Sequence, residues 1–89
     1  MRIVSDTTLF RKDVKRVKKR NVQIDKLDDV IRKLALHIPL PHSARPHKLT
    51  SEYTGMWDLH IEPDWILIYE ITETTLVLRR TGTHSDLFR

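Results

Sequence analysis

Four polar side chains stand close together in the last third of this chain of 89 residues. His60, Glu62 and Asp64 lie in "HIEPD", which runs without a gap into the apolar stretch "WILIYEI", and His84 follows "RRTGT". Histidine titrates near neutral pH, so a pair can supply one base and one acid. A carboxylate can orient an imidazole or carry a proton itself. Two histidines and an aspartate therefore suit phosphodiester transfer in RNA. In that reaction the 2′-hydroxyl loses a proton as it attacks the neighbouring phosphorus. The pentacoordinate phosphorane gathers negative charge, and the 5′-oxygen leaves more readily once protonated. Arg80, just upstream of His84, is a candidate for holding the developing charge.

Whether these residues meet depends on the elements that carry them. In "MWDLHIE", Trp57, Leu59 and Ile61 alternate with Asp58, His60 and Glu62, the period of a strand with one face in the core. "EPD" reads as a turn, and "WILIYEI" (65–71) as a central strand buried on both sides. "TET" turns again, "TLVLRRTGT" (75–83) is a third strand, and "HSDLFR" is a short turn or helical tail. Consecutive strands with short turns form an antiparallel meander. Its geometry brings Glu62, Asp64 and the end of the third strand to one edge of the sheet, separated by at most two strand spacings, about 10 Å. His60, Asp64 and His84 then converge although they span 25 positions.

Upstream, "RIV" (2–4) reads as a short edge strand and "SDTT" offers helix N-caps. Phe10, Val14 and Val17 recur at helical spacing, and Asn21 is the expected stop. A second helix starts near Asp25, with Leu27, Val30, Ile31, Leu34 and Ile38 as its buried stripe, and Pro39 ends it. Residues 39–55, with three prolines and two histidines, read as a loop. The expected fold is α+β in the order β-α-α-β-β-β with a short C-terminal tail: a helical hairpin packed on a mainly antiparallel sheet, all in one domain, 1–89.

Composition narrows the class. With no cysteine there is no disulfide scaffold and no Cys-type zinc site, which suits a cytoplasmic address. No apolar stretch is long enough to span a bilayer, and "MRIVSDTTLF" lacks the core of a secretory signal. The net charge of +4 conceals a local +6 in "RKDVKRVKKR" (11–20), which leaves −2 for the other 79 residues. Such a helix, with Lys15, Lys18 and Lys19 among its cations, is either a solvated face or a patch for RNA, DNA, an acidic protein or an anionic membrane. Each candidate also has an ordinary reading. His37 suits a helix C-terminus, His42 a loop, Asp64 a turn after proline, and Trp65 the core. Phe88 is a core plug or a platform for a base. A metal site from His42, His47, His60 and His84 has no helical HxxxH or HExxH spacing behind it.

"HIEPDWILIYEI" followed by "RRTGTHSDLF" resembles the C-terminal half of the YafQ branch of the RelE/ParE toxin superfamily, and the basic first helix, the second helix, "PHKL" and Gly55 extend the likeness along the chain. The resemblance implies a RelE-like domain and a cytoplasmic, metal-independent endoribonuclease of a type II toxin–antitoxin system. Such a toxin cuts mRNA in the A site of the 70S ribosome, leaving a 2′,3′-cyclic or 3′-phosphate and a 5′-hydroxyl. By motif it assigns catalytic positions to His47, His60, Asp64 and His84, with Asp64 and His84 moving the protons, and substrate or transition-state support to Arg80, Trp65 and Phe88. His47 is reached only by this likeness. The implied partners are mRNA, the ribosome and a cognate antitoxin, with operator DNA met only through the antitoxin. The basic helix, through Lys15, Lys18 and Lys19, suits both RNA and an acidic antitoxin. Two rival readings share the fold: a ParE-like gyrase poison, which has no need of the His/Asp set, and a non-catalytic ribosome- or RNA-binding module, which would tolerate loss of His84.

Overall fold

The computed structural model of the chain describes residues 1–20, 23–50 and 52–88. Its elements are β1 (Ile3–Asp6), α1 (Thr8–Lys19), α2 (Ile24–Ala35), a 3₁₀ turn (His42–Ala44), β2 (His47–Lys48), β3 (Trp57–Glu62), β4 (Trp65–Ile71), β5 (Thr75–Gly82) and α3 (His84–Leu87). One sheet of five strands runs in the order β1-β5-β4-β3-β2. β1 lies parallel to β5 and every other pairing is antiparallel, so the expected meander is its centre.

The helices form where the residues lead them to. Thr7 caps α1 by accepting the Phe10 N–H at 3.0 Å. Phe10, Val17, Leu27 and Leu34 turn inward and pack with Leu59, Trp65, Leu67, Tyr69, Leu76 and Leu78 of the sheet. Each such side chain, fully buried, contributes about 1.5–3 kcal/mol. α1 lies along β5, and α2 crosses to β3 and β5. On the opposite face, Ile66 and Ile68 of β4 pack with Leu87, Tyr53, Met56 and Phe88. β4 is therefore covered on both sides, which is why its sequence is almost continuously apolar.

Two departures from the sequence expectations have local causes. α2 stops at Ala35, short of Pro39. His37 adopts φ 59°, and the Ile38 N–H donates to the Lys33 carbonyl at 2.9 Å, a Schellman closure that ends the helix before proline can. Ile38 thus leaves the buried stripe and is 37% exposed. The site normally belongs to glycine, so His37→Gly is expected to raise stability by up to about 1 kcal/mol, measured as an upward shift of the thermal midpoint. The second departure is the segment read as a loop. It carries the 3₁₀ turn and β2, which pairs with β3 in the register His47↔Asp58 and Lys48↔Trp57. Two paired residues carry no periodicity, so only the partner strand reveals them. The expected stop at Asn21 lies outside the described residues; Arg20 caps α1 through its N–H to the Val17 carbonyl at 3.0 Å.

Candidate active site

The sheet register places the residues at one end. His60 of β3 pairs with Ile66 of β4, Ile66 pairs with Gly82 of β5, and His84 begins α3 just beyond. Asp64, in the β3–β4 turn, reaches across to His84. Its Oδ1 accepts the His84 backbone N–H at 3.1 Å and lies 3.1 Å from the His84 Nδ1. The backbone N–H first, then the ring, hold the Asp64 carboxyl below the usual carboxylate range. Asp64 is therefore ionised at neutral pH, and His84 Nδ1–H is the donor. The His60 and His84 rings lie 5.7 Å apart between centroids. His60 Nδ1 is 3.2 Å from the Pro63 carbonyl, and a carbonyl only accepts, so Nδ1 carries the hydrogen. In both histidines Nε2 is the nitrogen left for a substrate.

α3 holds His84 in place although it has only four residues. Thr83 Oγ1 accepts the Asp86 N–H at 3.1 Å, and the Asp86 carboxylate accepts the Thr83 N–H at 2.9 Å, a closed capping box. Arg20 of α1 donates to the same carboxylate through two nitrogens and is the main reason the Asp86 carboxyl sits far below its ordinary range. Gly82 makes this fold-back possible. At φ 155° a Cβ on it would stand 2.8 Å from Asp86 Oδ2.

A second pair occupies the next rung. β2 sets His47 opposite Asp58, with His47 Nδ1 2.8 Å from Asp58 Oδ1. Asp58 is 3% exposed, and burial pushes its carboxyl up, against the pull of His47, His60 and His84. Sequence reasoning gave Asp58 no role. The signal was present in "WDLH", where the two-residue spacing puts Asp58 and His60 on one face of the strand.

The remaining candidates fall elsewhere. Trp65, expected to support substrate, is 5% exposed in the helix-side core, and its indole N–H donates to Thr81 Oγ1 at 2.9 Å. It also lines a small surface pocket with Asp64, Gly82 and Thr83, so its packing in the core sets it beside Asp64. Arg80 is engaged too. Its Nε and Nη2 donate to buried Asp13 at 2.6 and 3.1 Å, and its Nη1 lies 3.5 Å from the Tyr53 hydroxyl. Asp13 fastens it to α1, so Arg80 joins elements before it can meet a substrate. Phe88 is half-buried, edge-on to Tyr53 at 5.5 Å and tilted to His84 at 5.9 Å. Lys15, Lys18 and Lys19 are exposed on α1. His42 belongs to the 3₁₀ turn. Among the described residues no group of three or more His, Cys, Asp or Glu side chains is disposed to hold a metal ion. No described helix is long and apolar enough to cross a membrane.

The arrangement has clear relatives. A family model described as the bacterial toxin of type II toxin–antitoxin systems, YafQ, matches residues 2–89. The chain is 45% identical over 80 residues to the mRNA interferase toxin YafQ of Escherichia coli (strain B / BL21-DE3), covering 89% of this chain and 87% of that protein. Among solved structures, a YafQ variant from E. coli superposes with TM-score 0.93 at 38% identity, and the E. coli DinJ–YafQ complex with TM-score 0.91 at 41% identity, each covering 100% of both chains.

Proposed function

We propose how the site works from one premise: the chain belongs to the YafQ family of bacterial type II toxins, and it is an mRNA interferase, an endoribonuclease held in check by a cognate antitoxin. The observation that carries the mechanism is the paired geometry of His60 and His84, whose Nδ1 atoms are both engaged and whose Nε2 atoms are left for one phosphodiester.

His60 donates Nδ1–H to a neutral carbonyl, so its Nε2 lone pair suits the base that takes the 2′-hydroxyl proton. His84 donates Nδ1–H to the Asp64 carboxylate, which balances the charge of an imidazolium. It suits the acid that protonates the departing 5′-oxygen. Asp64 then orients His84 and carries no proton itself, because a carboxyl held below its usual range is a poor acid at neutral pH. This revises the expected division of labour, in which Asp64 and His84 shared the protons. His47, drawn to Asp58 at 2.8 Å, supplies a donor for the phosphorane. Phe88, beside His84, offers a ring edge against a base. The exposed lysines of α1 attract the RNA backbone, and the ribosome presents the mRNA to the site. Those same cations suit an acidic antitoxin segment.

The test is the chemistry of the cut ends. Primer extension after induced expression is expected to show discrete breaks within codons. The upstream fragments should end in 2′,3′-cyclic phosphate or 3′-phosphate and the downstream ones in 5′-hydroxyl. Fragments with 5′-phosphate would exclude attack by the 2′-hydroxyl. DNA damage without mRNA breaks would point to a gyrase poison, and blocked translation with neither to simple binding.

A further inference from the structure

A groove of about 530 Å³ opens beside His60, lined by Lys26, Ser43, Arg45, His60, Glu62 and Pro63. Its volume is that of a small-molecule site. We propose that it is the subsite for the nucleotide next to the scissile phosphate, with Arg45 as the residue that grips that nucleotide's phosphate. The proposal rests on the mRNA-cleaving reading of the site and deepens it.

Four features point to this. His60 is shared: its ring centroid lies 5.7 Å from that of His84, and the same residue lines the groove. A strand that places one phosphate between the two imidazoles must run its neighbouring nucleotide past His60. The groove's two cations also differ. Lys26 lies 3.6 Å from Glu62 and is already paired. Arg45 is exposed and has no ion pair among the described residues, so its fork of donors is available for a phosphate.

The backbone at Arg45 is the third feature. It leaves the 3₁₀ turn at φ 44°, ψ 60°, in the left-handed region where a residue other than Gly, Asn or Asp costs of order 1 kcal/mol. A turn needing only this geometry is served better by glycine. The long cation held there at a stability cost is what a binding residue looks like. Finally, the residue is rigidly mounted. Ala44 before it is 1% exposed in the core, and His47 two positions on is locked to β3 opposite Asp58. Arg45 and His47 therefore hold a set spacing relative to His60.

The probe is a trinucleotide with every 2′-hydroxyl methylated, which binds but cannot be cut, followed by amide NMR on the full chain. The backbone amides of Ser43, Arg45 and Glu62 are expected to shift together with those of His60 and His84. Arg45→Ala should weaken Kd about tenfold, which is about 1.4 kcal/mol, near the low end for a charge-assisted phosphate contact. Arg45→Lys should recover part of the loss. Unshifted amides outside the groove establish that each variant is folded. Shifts confined to the Phe88 and Tyr53 side, no binding of the trinucleotide, or an unchanged Kd in Arg45→Ala each overturn the proposal. The probe undergoes no chemistry, so a chain that binds it through the groove yet leaves mRNA whole fails the cleavage mechanism alone. One that cuts mRNA with the groove amides unmoved fails this subsite alone.

Discussion

His84→Ala is expected to lower the rate of mRNA cleavage by about 10²–10⁴-fold, the range for removing a general acid–base group. The size follows from position. The His84 imidazole is tied to a carboxylate held below its usual range, through Asp64 Oδ1 at 3.1 Å. Alanine removes the proton donor, yet the first residue of α3 tolerates it, because the capping box is made by Thr83 and Asp86. The variant should keep its thermal midpoint and its antitoxin binding. Asp64→Asn should do less damage than His84→Ala. The amide oxygen still accepts the His84 N–H, but the charge that balances an imidazolium is gone. If Asp64→Asn proves as inactive as His84→Ala while folded, Asp64 moves a proton after all. If His84→Ala cuts at the normal rate, the site is misassigned.

The second large effect is on stability. Arg80→Ala is expected to cost about 3 kcal/mol, since it strips a partner from a buried charge. Asp13 is 3% exposed and accepts from Arg80, from Arg16 at 2.8 Å and from the Thr81 N–H at 3.2 Å. Losing Arg80 leaves a carboxylate in a dry site with two remaining donors. For a domain of this size that loss lowers the melting temperature by roughly 12–24 °C, a large share of a total stability of about 5–15 kcal/mol. The double replacement Asp13→Leu with Arg80→Met should be milder than Arg80→Ala, because no charge is left unpaired. Unfolding midpoints in denaturant compare the three. A double variant as unstable as the single one, or an Arg80→Ala within about 0.5 kcal/mol of wild type, would show that the pair is not a structural lock.

The strands and helices were legible because one face or stripe of each must be apolar. Alternation in "MWDLHIE", the unbroken apolar run of β4 and the 3.6-residue stripes of α1 and α2 each mark a burial requirement. The end of α2 was misread because His37 took a backbone conformation that its side chain does not advertise. The contacts of Trp65 and Arg80 are hidden for a related reason. An aromatic next to an aspartate, or an arginine near a histidine, looks the same in sequence whether it faces substrate or a partner helix. Only packing on α1 and Thr81 separates the two.

Strand order alone was enough to bring His60, Asp64 and His84 to one edge, because a meander with turns of two and three residues runs its neighbouring strands antiparallel. Direction along a strand and parity of faces are properties of the chain, and periodicity reports both. What the tertiary structure decided are contacts between segments with no shared periodicity. Two-residue β2 carries His47 onto Asp58, α1 brings Asp13 to Arg80 and Arg20 to Asp86, and the 3₁₀ turn swings Arg45 to the groove beside His60. Each depends on long-range geometry and on burial of charge, which no local pattern of residues records.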